Sequence, residues 1–229
     1  MHSISNHIAD VRSRIAHAAQ SAGRQRDTVR LVAVSKTQSV DKIRAAIAAG
    51  INEFGENYVG DALPKIAALR DERLCWHFIG AVQSNKTRDI ARNFQWVQTL
   101  DRTKVARRLA EQRPDDAEPL DVLIQVNIDA EPQKAGIAPE ALAEFAAHVL
   151  AMPRLRLRGL MAIPRAETEP DRQRNAFRRM RHLFDAARPP GASHWDTLSM
   201  GMTRDFDAAI AEGATMIRIG TALFGPRGA

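Results

Sequence analysis

Cysteine, tyrosine and lysine are all scarce in this sequence, and each scarcity narrows the reading. The single cysteine, Cys75, excludes an intrachain disulfide and with it the disulfide-stapled secreted folds. No apolar run approaches the length of a membrane-spanning helix, so no such helix is expected. The N-terminal stretch "MHSISNHIADVRSRIAHAAQ" lacks the basic start, apolar centre and small-residue cleavage site of a signal peptide; it reads as an amphipathic helix. A cytoplasmic location is therefore the expectation. Long blocks of one charge are missing too. The net charge of +6 comes from 33 basic residues interspersed with 27 acidic ones. The densest basic region, residues 154–181, sets Arg172, Arg174, Arg178, Arg179 and Arg181 on a helical pattern with Phe177, Met180, Leu183 and Phe184. We read it as a solvated helix face, with nucleic-acid binding the lesser alternative.

What is present is a rhythm. A chain of 229 residues with 45% apolar content supports a sizeable core. After a helix over 3–22, ended by Gly23, strand patterns fall at 30–35, 52–54, 75–79, 95–99, 121–128, 155–162, 195–199 and 215–219. Helical patterns lie between them at 40–49, 57–70, 85–93, 102–112, 139–151, 171–187 and 205–212. "DKIRAAIAAG" and "DFDAAIAEGA" show the helical form: an Asp start, an Ala/Ile face, a Gly stop. Eight strands alternating with helices predict an α/β fold, a (β/α)8 TIM barrel with an extra N-terminal helix. The rival, a doubly wound open sheet, calls for a glycine-rich turn after an early strand, and "SKTQSV" after the first strand holds no glycine. No linker or composition shift interrupts the chain, so a single domain over 1–229 is expected.

In such a barrel the working residues sit at the C-terminal ends of the strands. Seven of the eight ends carry polar or glycine-rich signatures; the fourth ends in the plainer "TLD". One of only six lysines, against 27 arginines, stands at the end of the first strand as Lys36. The seventh end, "SMGMT", strings together Ser199, Met200, Gly201, Met202 and Thr203; the eighth, "RIGTALFG", places Gly220 and Thr221 after a strand. Small residues let backbone N–H groups approach an anion, hydroxyls add donors, and loops after strands 7 and 8 are a frequent phosphate site in this architecture. Glycines that only make tight turns are the plainer alternative.

A lysine at the barrel mouth in a partly dry pocket favours the neutral amine that attacks carbonyls. Facing a phosphate cradle, it suggests a Schiff base with a phosphorylated aldehyde, pyridoxal 5'-phosphate (PLP) being the obvious one. A salt-bridged lysine is the alternative. Arg218 interrupts the buried pattern "TMIRIG". It is either one half of an ion pair across the barrel or a donor aimed at the cofactor's pyridine nitrogen, which a guanidinium leaves unprotonated.

Together "AVSKT", "FGENY", "WHFIG", "QSNK", "GLMAIP", "LSMGM" and "IRIGTALFG" resemble the pyridoxal phosphate homeostasis protein family, related in fold to the N-terminal barrel of alanine racemase. The resemblance runs from about residue 8 to 225. It implies PLP bound covalently to Lys36, phosphate contacts from the Ser199–Thr203 turn and from Gly220 and Thr221, and Arg218 near the pyridine nitrogen. It also implies that Asn57, His77 and Met161 line the pocket, and that Lys134 in "EPQKAG" makes a secondary PLP contact. Thr203-Arg204 stands where the family more often has serine followed by an acid, and Ala81 where it has proline.

Racemization needs an acid/base group on each face of the substrate carbanion. In alanine racemase the second base is a tyrosine supplied with a C-terminal β-domain; this sequence reaches Ala229 just after the eighth strand, and its one tyrosine is Tyr58. The expectation is a non-enzymatic PLP carrier for intracellular cofactor homeostasis, with effects on amino- and keto-acid pools. The alternatives are a PLP enzyme with weak racemase or lyase activity, or a nucleic-acid or partner-binding barrel in which Lys36 is structural. PLP and apo-PLP enzymes are the expected partners, no metal is expected, and the chain is expected to be a monomer. Cys75, inside a strand pattern, is read as packing.

Overall fold

Small polar residues start the first helices. Ser3 Oγ accepts a hydrogen bond from the Asn6 N–H at 3.3 Å and opens α1 (Ile4–Ser21). Ser39 does the same for Lys42 at α2 (Val40–Ala48), so Asp41 lies not at the start but in the first turn, where its charge meets the positive end of the helix. Gly50, at φ +82°, follows the end of α2, and Arg12 of α1 donates to the Ala49 and Gly50 carbonyls at 3.0 and 2.7 Å.

The computed structural model describes residues 3–190 and 192–226; both ends of the expected 1–229 span, Ala229 included, lie outside the described residues. The strands are β1 (Arg30–Val34), β2 (Glu53–Glu56), β3 (Cys75–Phe78), β4 (Trp96–Leu100), β5 (Leu120–Gln125), β6 (Leu155–Met161), β7 (Thr197–Ser199) and β8 (Met216–Ile219). All pair in parallel and in chain order, and β8 returns to pair with β1, closing the barrel. That closure excludes the open doubly wound sheet. The intervening helices are α3 (Val59–Ala68), α4 (Thr87–Asn93), α5 (Thr103–Gln112), α6 (Leu142–Leu150), α7 (Pro170–Ala186) and α8 (Phe206–Ala211). A last short helix, α9 (Thr221–Phe224), goes beyond the sequence expectation. Helix α1 packs on α2, α8 and α9, covering the junction of the first and last units with Ile8, Val11, Ile15 and Ala19.

The main core lies between sheet and helices. A separate, small cluster fills part of the barrel's interior: Val32, Trp96, Leu123, Met161 and Met216. The rest of that interior is polar, which is unusual where branched apolar residues ordinarily dominate.

The end of β2 runs two residues beyond the expected 52–54, where a buried clamp holds one carboxylate oxygen of Glu56 and leaves Oε2 without a partner. Lys65 of α3 donates to Glu56 Oε1 at 2.8 Å and to the Ser35 carbonyl at 2.9 Å, and Ser35 Oγ donates to the same carboxylate oxygen at 2.6 Å. Ser35 and Glu56 are fully buried, and this clamp fixes the chain immediately before Lys36. Removing one partner of such a pair leaves a buried charge uncompensated. Lys65→Met should therefore lower unfolding stability by about 3–5 kcal/mol, measured by urea denaturation. A loss below about 1 kcal/mol would show that the clamp does not secure this strand end.

Candidate functional site

The sheet register brings the first and last strand ends together. Val32 lies beside Arg218 and Ala33 beside Ile219, so the chain leaving β1 runs alongside the turn after β8. Lys36, Gly220 and Thr221 consequently line one small cleft with Val34, Gln38 and Gly225. Lys36 is half-buried, and Thr37 after it holds the left-handed conformation (φ +65°), an uncommon state for a residue with a branched β-carbon. Ser35 behind and Thr37 ahead thus hold the lysine at the barrel mouth.

The turn after β7 is built around Gly201. Its φ of +95° suits glycine, and a Cβ there would lie 2.6 Å from the Ala209 Cβ. The carbonyl of Gly201 accepts from the Arg218 N–H at 3.1 Å, tying this turn to β8. Not every group of the expected cradle is available. The Met200 N–H donates to the Met216 carbonyl at 3.1 Å, and the Met202 N–H to Asp205 Oδ1 at 2.6 Å. Met200 is fully buried, Met202 is at the rim, Thr203 is half-buried and Arg204 is exposed. Helices α8 and α9 are too short for a developed dipole, and Thr221 lines the Lys36 cleft whereas the turn over 199–203 is not among its lining residues.

The Ser199 hydroxyl does not face that turn. It is fully buried, accepts from Arg218 Nη1 at 2.6 Å and donates to Gln98 Oε1 at 2.7 Å. Arg218 is 4% exposed, and its Nη2 donates to the Ala162 carbonyl at 3.0 Å. Among the described residues no carboxylate forms an ion pair with it, so the structural ion pair considered from sequence is not what this arginine makes. Burial pulls its guanidinium down to about 10, with Asp205 the acidic group acting against that fall. A buried cation held only by a hydroxyl and a carbonyl retains donors for a further acceptor.

His77 and Met161 lie deeper than the sequence suggested. Met161 belongs to the inner apolar cluster, one residue before the carbonyl that receives Arg218. His77 is fully buried on β3 and stacks on Trp96, with ring centroids 5.3 Å apart. Its Nε2 lies 3.1 Å from Glu53 Oε2 and its Nδ1 3.0 Å from Gln98 Nε2. Burial lowers its basicity more than Glu53 restores it. Burial also pushes Glu53 up, but hydrogen bonds from His77 and Arg30 more than reverse this and hold the carboxyl below its ordinary value. Cys75 Sγ is 3.5 Å from His77 Nε2; burial, followed by the nearby Glu53, pushes the thiol up to about 12, so it stays protonated and packs. Cys75, His77 and Glu53 offer atoms within 4.8 Å of one another, but Arg30 and His77 already occupy the carboxylate.

Asn57 follows β2 and lines a cleft of about 290 Å³ with Tyr58, Gly80, Gln83 and Lys86. Its Oδ1 is buried without a hydrogen-bond partner. Gly80 is obligatory there, since a Cβ would fall 2.0 Å from the Asn57 carbonyl oxygen. Tyr58 is 66% exposed. Lys134 sits in the loop after β5, ion-paired with Glu131 and donating to the Ile163 carbonyl at 3.3 Å. Gln98 and Glu53, central to the interior polar chain, escaped the sequence reading. Strand-end signatures do not mark residues inside the barrel; the alternation "WVQTL" was the available hint.

The chain matches the profile of the alanine racemase N-terminal domain over residues 7–228. It is 54% identical to the pyridoxal phosphate homeostasis protein of Pseudomonas aeruginosa, covering 99% of this chain and 97% of that one. It is 49% identical to the protein of the same name from Escherichia coli (strain K12), with coverage of 99% and 98%. Among solved structures it is similar to PipY of Synechococcus elongatus with PLP bound, at 34% identity and TM-score 0.83, covering 97% of this chain and 100% of that one. Alanine racemase from Corynebacterium glutamicum shares the fold at 20% identity and TM-score 0.66, covering 96% of this chain and 61% of that one.

His77 and Glu53 both bind fewer protons folded than unfolded, so both make stability rise with pH. As pH falls through 6.5, the ordinary histidine value, stability should begin to drop, and Glu53 should add to the loss below 4.5. Urea denaturation at pH 7.5, 6.5 and 5.5 should show a decline that is flatter in His77→Gln. Equal slopes in both proteins would show that His77 is not held neutral.

Proposed function

The chain belongs to the pyridoxal phosphate homeostasis protein family, and from that premise we propose that it is a non-enzymatic carrier which holds PLP on Lys36 and maintains its intracellular supply. The observation that carries this reading is the shared cleft: Lys36 and the Gly220-Thr221 turn line the same space. PLP would supply a reactive aldehyde, and Lys36 would supply the amine that holds it reversibly.

The other residues bind and orient. Thr203, Gly201, Gly220 and Thr221 form the phosphate side through backbone and hydroxyl donors. Met200 shapes that turn from within the core, and Met202 flanks its rim. Arg218 would donate its remaining N–H groups toward the pyridine nitrogen and, having no lone-pair acceptor, would leave it unprotonated. Asn57 contributes its unspent amide from the neighbouring strand end. Ser199 holds Arg218 directly, His77 reaches it through Gln98, and Met161 packs in the inner apolar cluster. Lys134, engaged by Glu131, is outside this set.

Residues binding PLP do not amount to catalysis. A ring nitrogen left unprotonated is a weak electron sink, which favours storage over carbanion chemistry. The enzyme reading, weak racemase or lyase activity, draws on Tyr58, the one tyrosine, which stands exposed beside Asn57. Turnover of an amino-acid panel well above that of free PLP would favour it.

Adding PLP to the purified protein should produce the visible absorption band of a protonated Schiff base. Borohydride reduction should leave one pyridoxyl adduct on Lys36 by mass analysis, and Lys36→Ala should lose band and adduct alike. Retention of both in Lys36→Ala would overturn the assignment. Holo-protein mixed with an apo-PLP enzyme should activate it beyond the same concentration of free PLP; equal activation would count against a delivery role.

A further inference from the structure

A chain of hydrogen bonds crosses the barrel's interior and ends on Arg218. Arg30 grips Glu53 with two bonds, at 3.0 and 2.8 Å. Glu53 meets His77 Nε2 at 3.1 Å, and His77 Nδ1 meets the Gln98 amide nitrogen at 3.0 Å. Gln98 Oε1 meets Ser199 Oγ at 2.7 Å, and Ser199 meets Arg218 at 2.6 Å. These six side chains come from β1, β2, β3, β4, β7 and β8, and His77, Gln98 and Ser199 are fully buried.

Chemistry sets the direction of every bond. A guanidinium only donates, so Ser199 accepts from Arg218 and its one proton goes to Gln98 Oε1. The amide nitrogen of Gln98 then faces His77 Nδ1, which must be bare. A neutral imidazole bare at Nδ1 carries its proton on Nε2 and gives it to Glu53, a carboxylate that only accepts. Turning the Gln98 amide over would leave the Ser199 proton without an acceptor and, with His77 neutral, would set a bare Nε2 against a carboxylate. Gln98 Nε2 also points at Met216 Sδ, at 3.2 Å, which further locks the amide. The donors therefore run one way, from Arg218 to Glu53, and Gln98 is the link that joins the two halves.

We infer that Gln98 is a positioning residue: by accepting the Ser199 proton it turns the serine lone pair to Arg218 and sets the guanidinium for the pyridine nitrogen of PLP. This rests on the reading that Arg218 meets that nitrogen. A free Ser199 rotor would let the guanidinium turn, and PLP would be held less firmly.

The test uses the full-length protein with PLP as the probe, following its dissociation by loss of the visible band in the presence of a trapping amine. Gln98→Met and Ser199→Ala should each speed dissociation about tenfold, and the double variant no more than either alone, since residues of one chain couple. Gln98→Glu, which keeps the acceptor for Ser199 at nearly the same shape, should return the rate to within about threefold of wild type. Multiplicative effects, or single variants with wild-type rates, would overturn the inference. A cofactor-free readout separates this from a failure of the PLP reading. Nitrogen-15 NMR of the protein without PLP should show His77 neutral, protonated at Nε2 and bare at Nδ1, and protonated on both nitrogens in Gln98→Glu. A proton on Nδ1 in the wild type would overturn the chain whatever the cofactor does. Wild-type protein with that tautomer but no band on adding PLP would refute the PLP reading, and with it the role toward the ring.

Discussion

A positive charge buried, among the described residues, without a carboxylate in ion-pair contact is the constraint on which this interior depends. Arg218 projects from β8 into a space where branched apolar side chains ordinarily pack, and among the described residues no carboxylate forms an ion pair with it. The barrel answers with neutral acceptors, the Ser199 hydroxyl and the Ala162 carbonyl. Each acceptor then needs its own support, which propagates through Gln98 and His77 until Glu53 is reached. The chain ends on the Glu53 carboxylate, which Arg30 grips with two hydrogen bonds.

The mouth of the barrel is secured differently. Lys36 leaves β1 from a point fixed by the Ser35–Glu56–Lys65 clamp, and the pairing of β1 with β8 sets it beside the last turn. Lys36 and the Gly220-Thr221 turn therefore belong to elements far apart in the chain but adjacent across the barrel's closure. Glycine at 201 keeps its turn open, since a Cβ there would strike Ala209. In the turn after β7 the Met200 and Met202 N–H groups are already engaged by Met216 and Asp205, so fewer donors remain open there than the sequence implies.

The order of strands and helices, the closed barrel and the position of Lys36 were all legible in the sequence, because each follows from local periodicity or from a strand end. Boundaries moved where polarity misled. Glu56 extends β2 with one carboxylate oxygen held by Lys65 and Ser35, while β7 shrank to Thr197–Ser199 although its apolar pattern began with Trp195. Trp195 instead stacks on Phe184, with centroids 5.2 Å apart, and donates to the Phe184 carbonyl at 2.9 Å. Ser199 and His77 were expected at the ligand, as members of motifs at strand ends. Strand alternation turns both inward, and a shift of one residue along a strand reverses the direction of a side chain.

By itself the sequence determined the repeated βα unit, the family, and the residue types offered at each strand end, since these depend on neighbours a few positions apart. Only the tertiary structure decided what those residues touch. Gln98 gains its meaning from Ser199, which is 101 positions away, and Arg218 from both. No local pattern reports such a meeting, because barrel closure and inter-strand register bring distant side chains within hydrogen-bonding reach.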